Sequence, residues 1–331
     1  MRIKLFTGIS AVVLLVIPLA VVNYFQRHKP IDRANVIDAP ATLIANWKAP
    51  DTSEISHSPQ PDLIRYGREL ILHTSEYLGR HGSVAQISNG MNCQNCHVDG
   101  GTRPFANNFS SVASIYPVFK KRSGKLETVA MRINDCFERS LNGQPIPDSG
   151  KEMKAIIAYI YWIGHDVPKG IKTKNSGTEN LSFLNRPANI ANGRKIYNNM
   201  CQNCHGANGE GKLADDGKEY TYPPLWGRHS YNVSAGIYQL SKFAGFVKNN
   251  MPLGATKHLP EVSTDQAWDV AAFVNSRPRP TKYFKADWPD ISSKPADYPF
   301  GPYSDGFSTT QHKYGPFEII QNTHKKPALK N

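Results

Sequence analysis

Cys93-Gln94-Asn95-Cys96-His97 and Cys201-Gln202-Asn203-Cys204-His205 decide how this sequence is read. Both are C-x-x-C-H, the attachment signature of c-type haem. The two cysteines form thioethers with the porphyrin vinyl groups, and the adjacent histidine supplies the proximal iron ligand. The spacing sets both sulfurs and the imidazole on one helical turn, within reach of a single porphyrin. We therefore expect two covalently bound haem c groups. Cys93, Cys96, Cys201 and Cys204 attach them, and His97 and His205 bind iron. A zinc site fits less well, because ribbon pairs usually stand about 15–20 residues apart, whereas Cys96 and Cys201 are separated by more than a hundred. A thioredoxin-like pair would not call for histidine in both copies.

The surroundings of the motif repeat too. Gly67-Arg68-Glu69-Leu70 precedes the first copy and Gly193-Arg194-Lys195-Ile196 the second, each opening a helix. Beyond each copy lies a second apolar helix, through Met153, Ile156, Ile157, Ile160 and Tyr161, and through Trp268, Ala271, Ala272, Phe273 and Val274. Leading helix, C-x-x-C-H, long loop and closing helix resemble the class I cytochrome c fold. The expected architecture is all-α with long loops: two tandem cytochrome c domains over 45–170 and 185–280, joined by 171–184. The turn-rich stretch Val167–Gly177 is the natural linker. The proline- and tyrosine-rich tail, 281–331, is expected to be irregular and to wrap over the domains.

Length and composition agree. The 331 residues, 40% hydrophobic and 20% charged, suit two globular domains and exclude both a disordered chain and a multi-span membrane protein. Lys and Arg number 39 against 27 Asp and Glu, a net charge of +12 that points to anionic partners. No nucleic-acid reader motif is present, and nucleic acid is set aside. At the start, Arg2 and Lys4 precede an uncharged run from Leu5 to Gln26, about 33 Å long as a helix and enough to cross a bilayer. This reads as an export signal or anchor over residues 1–30. The stretch is long, and proline spoils the cleavage candidate Ala39-Pro40-Ala41, so an uncleaved transmembrane anchor is preferred to a removed signal. Arg27, Lys29 and Arg33 beyond it leave orientation open. Haem is attached covalently outside the cytoplasm, so the body is expected in the periplasm, held at the inner membrane by residues 5–26.

The sixth iron ligand separates a carrier from a catalyst. In the second domain Met251-Pro252, 46 residues after His205, fits a distal methionine in extended backbone, with Lys248 as the alternative. Tyr222-Pro223-Pro224-Leu225 resembles the loop that buttresses the proximal histidine in cytochromes c. The first domain has no Met-Pro; its candidates are Met131, Cys136, Met153 and His165. Leu126–Leu141 reads as a helix with an apolar face through Leu126, Ala130, Ile133, Phe137 and Leu141. Arg132, Cys136 and Ser140 form a separate stripe, and a cation beside Cys136 favours the thiolate. Met131 lies about 140° round the helix from Cys136, so Cys136 is the expected distal ligand.

The segment Arg132-Ile-Asn-Asp-Cys136-Phe-Glu-Arg-Ser140-Leu-Asn142-Gly143 resembles the thiosulfate dehydrogenase family of dihaem cytochromes, as does Tyr116-Pro117 followed by Lys120-Lys121-Arg122-Ser123-Gly124. The likeness covers roughly residues 60–280. It implies an active-site haem on Cys93, Cys96 and His97 with Cys136 as distal ligand. It also implies an anion-binding set of Arg122, Arg132 and Ser140, and an electron-transfer haem with His205 and Met251. Some members carry lysine immediately before the distal methionine; Asn250 stands here, as in members able to run as tetrathionate reductases. Arg139 and Lys121 could add positive charge, while Lys120 and Lys125 are read as surface. The implied reaction joins two thiosulfates as tetrathionate through a covalent adduct on Cys136. It releases two electrons, one to each haem, which pass on to an external c-type cytochrome. The competing readings are a non-catalytic dihaem electron carrier, which would have methionine or histidine on both irons, and the cysteine-haem subunit of a sulfur-oxidising complex, which needs a separate cytochrome partner. The Arg-Cys-Ser stripe and the two haem motifs in one chain count against them.

Overall fold

A computed structural model describes residues 47–325. The expected anchor over 5–26 lies outside them. Among the described residues no helix is long and apolar enough to cross a membrane.

In the first half, α1 (Pro61–Leu72) and α2 (Thr74–Leu78) precede the first motif. A short antiparallel hairpin follows, β1 (Val118–Lys120) with β2 (Lys125–Glu127), and then α3 (Val129–Arg139) and α4 (Lys151–Ile163). In the second half α5 (Ile190–Met200) precedes the second motif; the hairpin β3 (Lys212–Leu213) and β4 (Tyr220–Tyr222), then α6 (Leu240–Asn250) and α7 (Thr264–Ser276), follow it. The tail carries α8 (Thr309–Tyr314) and α9 (Phe317–Lys325).

Each half is built on one close helix crossing. A Cβ on Gly67 of α1 would sit 1.9 Å from the Ala155 carbonyl oxygen of α4; a Cβ on Gly193 of α5 would sit 1.9 Å from that of Asp269 of α7. Only glycine allows the backbones so near. The repeated Gly-Arg pair is thus the signature of a repeated crossing. Around it α1 buries Ile64, Leu70 and Ile71, and α4 buries Met153, Ile156, Tyr159, Ile160 and Ile163. The second core gathers Ile196, Tyr197, Trp226, Leu240, Trp268 and Phe273.

Several local expectations are corrected. Leu126 is not helical: it pairs with Phe119 in the hairpin and is 62% exposed. The helix starts instead at Thr128, whose hydroxyl accepts the Met131 N–H at 3.2 Å, an N-cap that the apolar periodicity alone did not reveal. The linker is docked. The Thr173 hydroxyl lies 2.7 Å from that of Ser110, and Asn175 donates to the Trp47 carbonyl at 2.8 Å, both residues being buried. Tyr220, from the second half of the sequence, packs into the first core. The tail is not wholly irregular: Ser308 caps α8, and Phe317 of α9 joins the second core beside Trp268 and Phe183. Pro316 falls just before α9, where no amide hydrogen is needed.

Candidate functional site

Two cavities adjoin the two motifs. The first is lined by Cys93, Cys96 and His97 and, from α3, by Arg132, Cys136 and Ser140. The second is lined by Cys201, Cys204, His205 and Met251. The cavities measure about 220 Å³ and about 430 Å³.

The donor chemistry fits haem c in both. All five cysteines are free. Burial pushes Cys93 and Cys96 up to about 12 and Cys201 up to about 11, so these three are neutral thiols. The imidazoles are held from behind: His97 Nδ1 donates to the Asn107 carbonyl at 2.6 Å and His205 Nδ1 to that of Pro223 at 2.9 Å. Each contact leaves Nε2 with the lone pair a metal needs. Burial lowers both histidines, His97 to about 4, so both stand neutral. Phe109 stacks on the His97 ring at 4.5 Å.

On the opposite side of each cavity the sequence candidates separate. Met131 is 39% exposed on the outer side of α3, Met153 is fully buried core, and His165 is exposed with Nδ1 on the Trp162 carbonyl. Of the four, Cys136 alone lines the first cavity. Arg132, one turn earlier, lies close enough that Cys136 is the chief cause raising the guanidinium pKa. Its side chain is 45% exposed, but it lines both this cavity and an adjoining one, so much of that area faces enclosed space. Ser140 caps the end of α3 at the same cavity. In the second half Met251 takes extended backbone at φ −131° and ψ 140° and lines the cavity with His205. Lys248 donates to the Val262 carbonyl at 3.1 Å and does not line it. Asn250 is buried and donates to Phe105 of the first half and to Phe246.

Arg122 stands apart from that group. It lines the adjoining cavity, donating from Nε to Asp287 at 2.8 Å and from Nη2 to the Ser234 carbonyl at 2.7 Å. Arg139 is buried, bidentate on Asp287 at 2.8 and 2.9 Å and bonded to Asp135 at 3.1 Å, with the Phe284 ring 3.7 Å from its guanidinium. Lys121 is exposed and outside these cavities. The tail therefore takes up two of the cations that sequence reasoning offered to the substrate. Two residues were missed or misplaced: Lys120, read as surface, and Lys172 of the linker both line the adjoining cavity. Another is Asn92, which lines both large cavities. No motif marks these positions; only the approach of distant segments does.

Two helix-crossing domains, each with a C-x-x-C-H motif on an apolar cavity, define a dihaem c-type cytochrome with two covalently bound haem c groups. The SoxA/TsdA cytochrome c domain profile matches residues 83–168, and the cytochrome c profile matches residues 190–278. The chain is 36% identical over 244 residues to a thiosulfate dehydrogenase of Psychrobacter arcticus, covering 73% of this chain and 72% of the relative. It is 40% identical over 198 residues to one of Allochromatium vinosum, covering 59% and 72%. Among solved structures, the thiosulfate dehydrogenase TsdBA of Marichromatium purpuratum, in its as-isolated form, aligns with a TM-score of 0.67 at 29% identity. The alignment covers 78% of this chain and 54% of that one, so this chain spans about half of that protein's length. The chain belongs to the thiosulfate dehydrogenase family.

Proposed function

We propose that Cys136, Arg132 and Ser140 carry the chemistry of a chain whose activity, that of its family, is the interconversion of thiosulfate and tetrathionate. The observation that carries this assignment is the meeting of these three side chains with Cys93, Cys96 and His97 in one cavity. A simple carrier has no use for a cysteine and an arginine there. Cys93, Cys96, His97 and Cys136 would hold the haem of the reacting site. Cys201, Cys204, His205 and Met251 hold the second.

Thiosulfate is a dianion whose sulfonate suits the guanidinium fork of Arg132. The Ser140 hydroxyl can donate to a second sulfonate oxygen. The Cys136 thiolate and the outer sulfur of one thiosulfate form an S–S bond, giving Cys–S–S–SO3⁻ and releasing two electrons. The haem pair supplies the one-electron acceptors, one for each. A second thiosulfate attacks the sulfane sulfur, releases tetrathionate and returns Cys136 as thiolate; two electrons leave and no atom is lost. The electrons pass to an external c-type cytochrome. Covalent haem attachment outside the cytoplasm supports a periplasmic site of action.

Cys136→Ala protein with both haems attached is the test. Thiosulfate oxidation and tetrathionate reduction should both collapse, while ascorbate still reduces the second haem. Full turnover by this variant would overturn the covalent role.

A further inference from the structure

Resting on that assignment, we infer that Lys120 and Lys172 form an outer anion subsite. It holds the second thiosulfate, or equally the far sulfonate of tetrathionate, while the first is on Cys136.

The reaction needs two anion positions, because two dianions must be brought sulfur to sulfur, and their repulsion must be offset where they meet. The first cavity offers one position, at Arg132 and Ser140. The adjoining cavity shares a wall with it: Asn108, Val112, Tyr116, Arg132 and Gly177 line both. Arg132 therefore stands between two chambers, and the outer one carries Lys120 from the end of β1 and Lys172 from the linker.

Charge in the outer chamber is unevenly committed. Arg122 is held by Asp287, and Arg139 by Asp287 and Asp135. Glu127, buried at 5%, also lines the chamber. The chamber wall holds four cations (Lys120, Arg122, Arg132 and Lys172) against two carboxylates (Glu127 and Asp135), and with Arg122 also paired to Asp287 the lining stays net positive. Lys120 Nζ lies 5.2 Å from the centre of the Tyr116 ring, and burial, with Arg132 facing it, lowers its pKa. A neighbouring anion would relieve that destabilised charge. The docked linker has a role here. Thr173 donates its N–H to Ser111 at 2.9 Å and shares hydroxyl contacts with Ser110, which sets the adjacent Lys172 at the chamber wall instead of leaving it on a loose tether.

The test is the Lys120→Gln/Lys172→Gln double variant against wild type, both with two haems attached. Three readouts are followed: steady-state thiosulfate oxidation, the first phase of haem reduction on mixing with thiosulfate, and intact-mass analysis of the quenched enzyme. We expect KM for thiosulfate to rise about tenfold or more, as for loss of charge-assisted contacts. The first haem-reduction phase should stay within about twofold, and the mass of a Cys136-bound S–SO3 group should accumulate because its displacement is slowed. Tetrathionate reduction should show the same rise in KM. Wild-type turnover with an unchanged KM in the variant overturns the outer subsite alone. So does an equal slowing of the first reduction phase, which would make the lysines general attractors of anions. A wild-type enzyme that does not turn over thiosulfate at all overturns the assignment of Cys136 and the subsite with it. Lys172→Glu alone, an exposed substitution with little risk to folding, should raise KM further than Lys172→Gln if the anion sits there.

Discussion

Asn92, the residue before the first cysteine of the first motif, donates its side-chain amide to Glu219 of the second half at 2.9 Å. Its carbonyl oxygen accepts the buried Ser75 N–H at 2.8 Å, and Glu219 also contacts His73 at 3.1 Å. Gln94 and Asn95, the two inner residues of the first motif, line the second cavity. The attachment loop of one haem site is thus part of the wall of the other. Asn92→Ala would leave the Ser75 amide unpartnered and cut the tie to Glu219. We expect a loss of about 1–3 kcal/mol in stability and slower reduction of the second haem after thiosulfate mixing. Denaturant melts and stopped-flow spectra read these separately.

The two helix crossings predict a matched pair of effects. Alanine normally favours a helix interior by about 1 kcal/mol over glycine. At Gly67 and Gly193 the added methyl would meet a backbone carbonyl at 1.9 Å. Gly67→Ala and Gly193→Ala should each destabilise by about 2–3 kcal/mol, as overpacked sites do, measured as a lower guanidinium midpoint. An unchanged midpoint would mean that the crossings slide apart freely.

Asp287 holds two buried arginines, of which Arg139 has Asp135 as a second carboxylate partner. Arg122 is 16% and Arg139 8% exposed at the side chain. Asp287→Asn should therefore cost about 3–5 kcal/mol, the range for breaking one side of a buried pair. It should also free Arg122, so that thiosulfate protects the variant against thermal unfolding more than it does the wild type. Thermal melts with and without thiosulfate test both effects.

The tail responds to acid. Burial would raise the Asp305 carboxyl, but hydrogen bonds from His312, the Phe307 N–H and His324 outweigh it, and the pKa is lowered. A lowered carboxyl contributes stability that is present above its ordinary pKa, about 3.9, and is lost as pH falls through the lowered value. Amide exchange in α8 should accelerate as pH drops below about 4, after correction for intrinsic rates. Asp305→Asn should show the faster exchange already at pH 7.

Much of the site was legible before any coordinates. C-x-x-C-H names its chemistry because thioether and iron bonds demand neighbours in sequence. Met251-Pro252 and the proline loop behind His205 were legible for a similar reason, since proline restricts its own backbone and that of the residue before it. The Arg132-Cys136-Ser140 stripe followed from helical period. Arg122 is the instructive exception. The resemblance implied an anion ligand; Arg122 lines the adjoining cavity and also binds a carboxylate, Asp287, 165 positions away. Leu126 likewise matched the helix period and went into a hairpin, because a capping threonine and cross-strand pairing outweighed periodicity.

The sequence by itself determined the cofactors, the duplicated helix-crossing plan and the family, because covalent attachment, close helix contact and local backbone bias are short-range demands written in adjacent or helically spaced residues. Only the tertiary structure decided which cations are paired with carboxylates, which of them line a cavity with Lys120 and Lys172, and how Asn92 joins the two cavities. Those contacts link segments far apart in the chain, and their free energy depends on burial and charge pairing that exist only once the segments have packed.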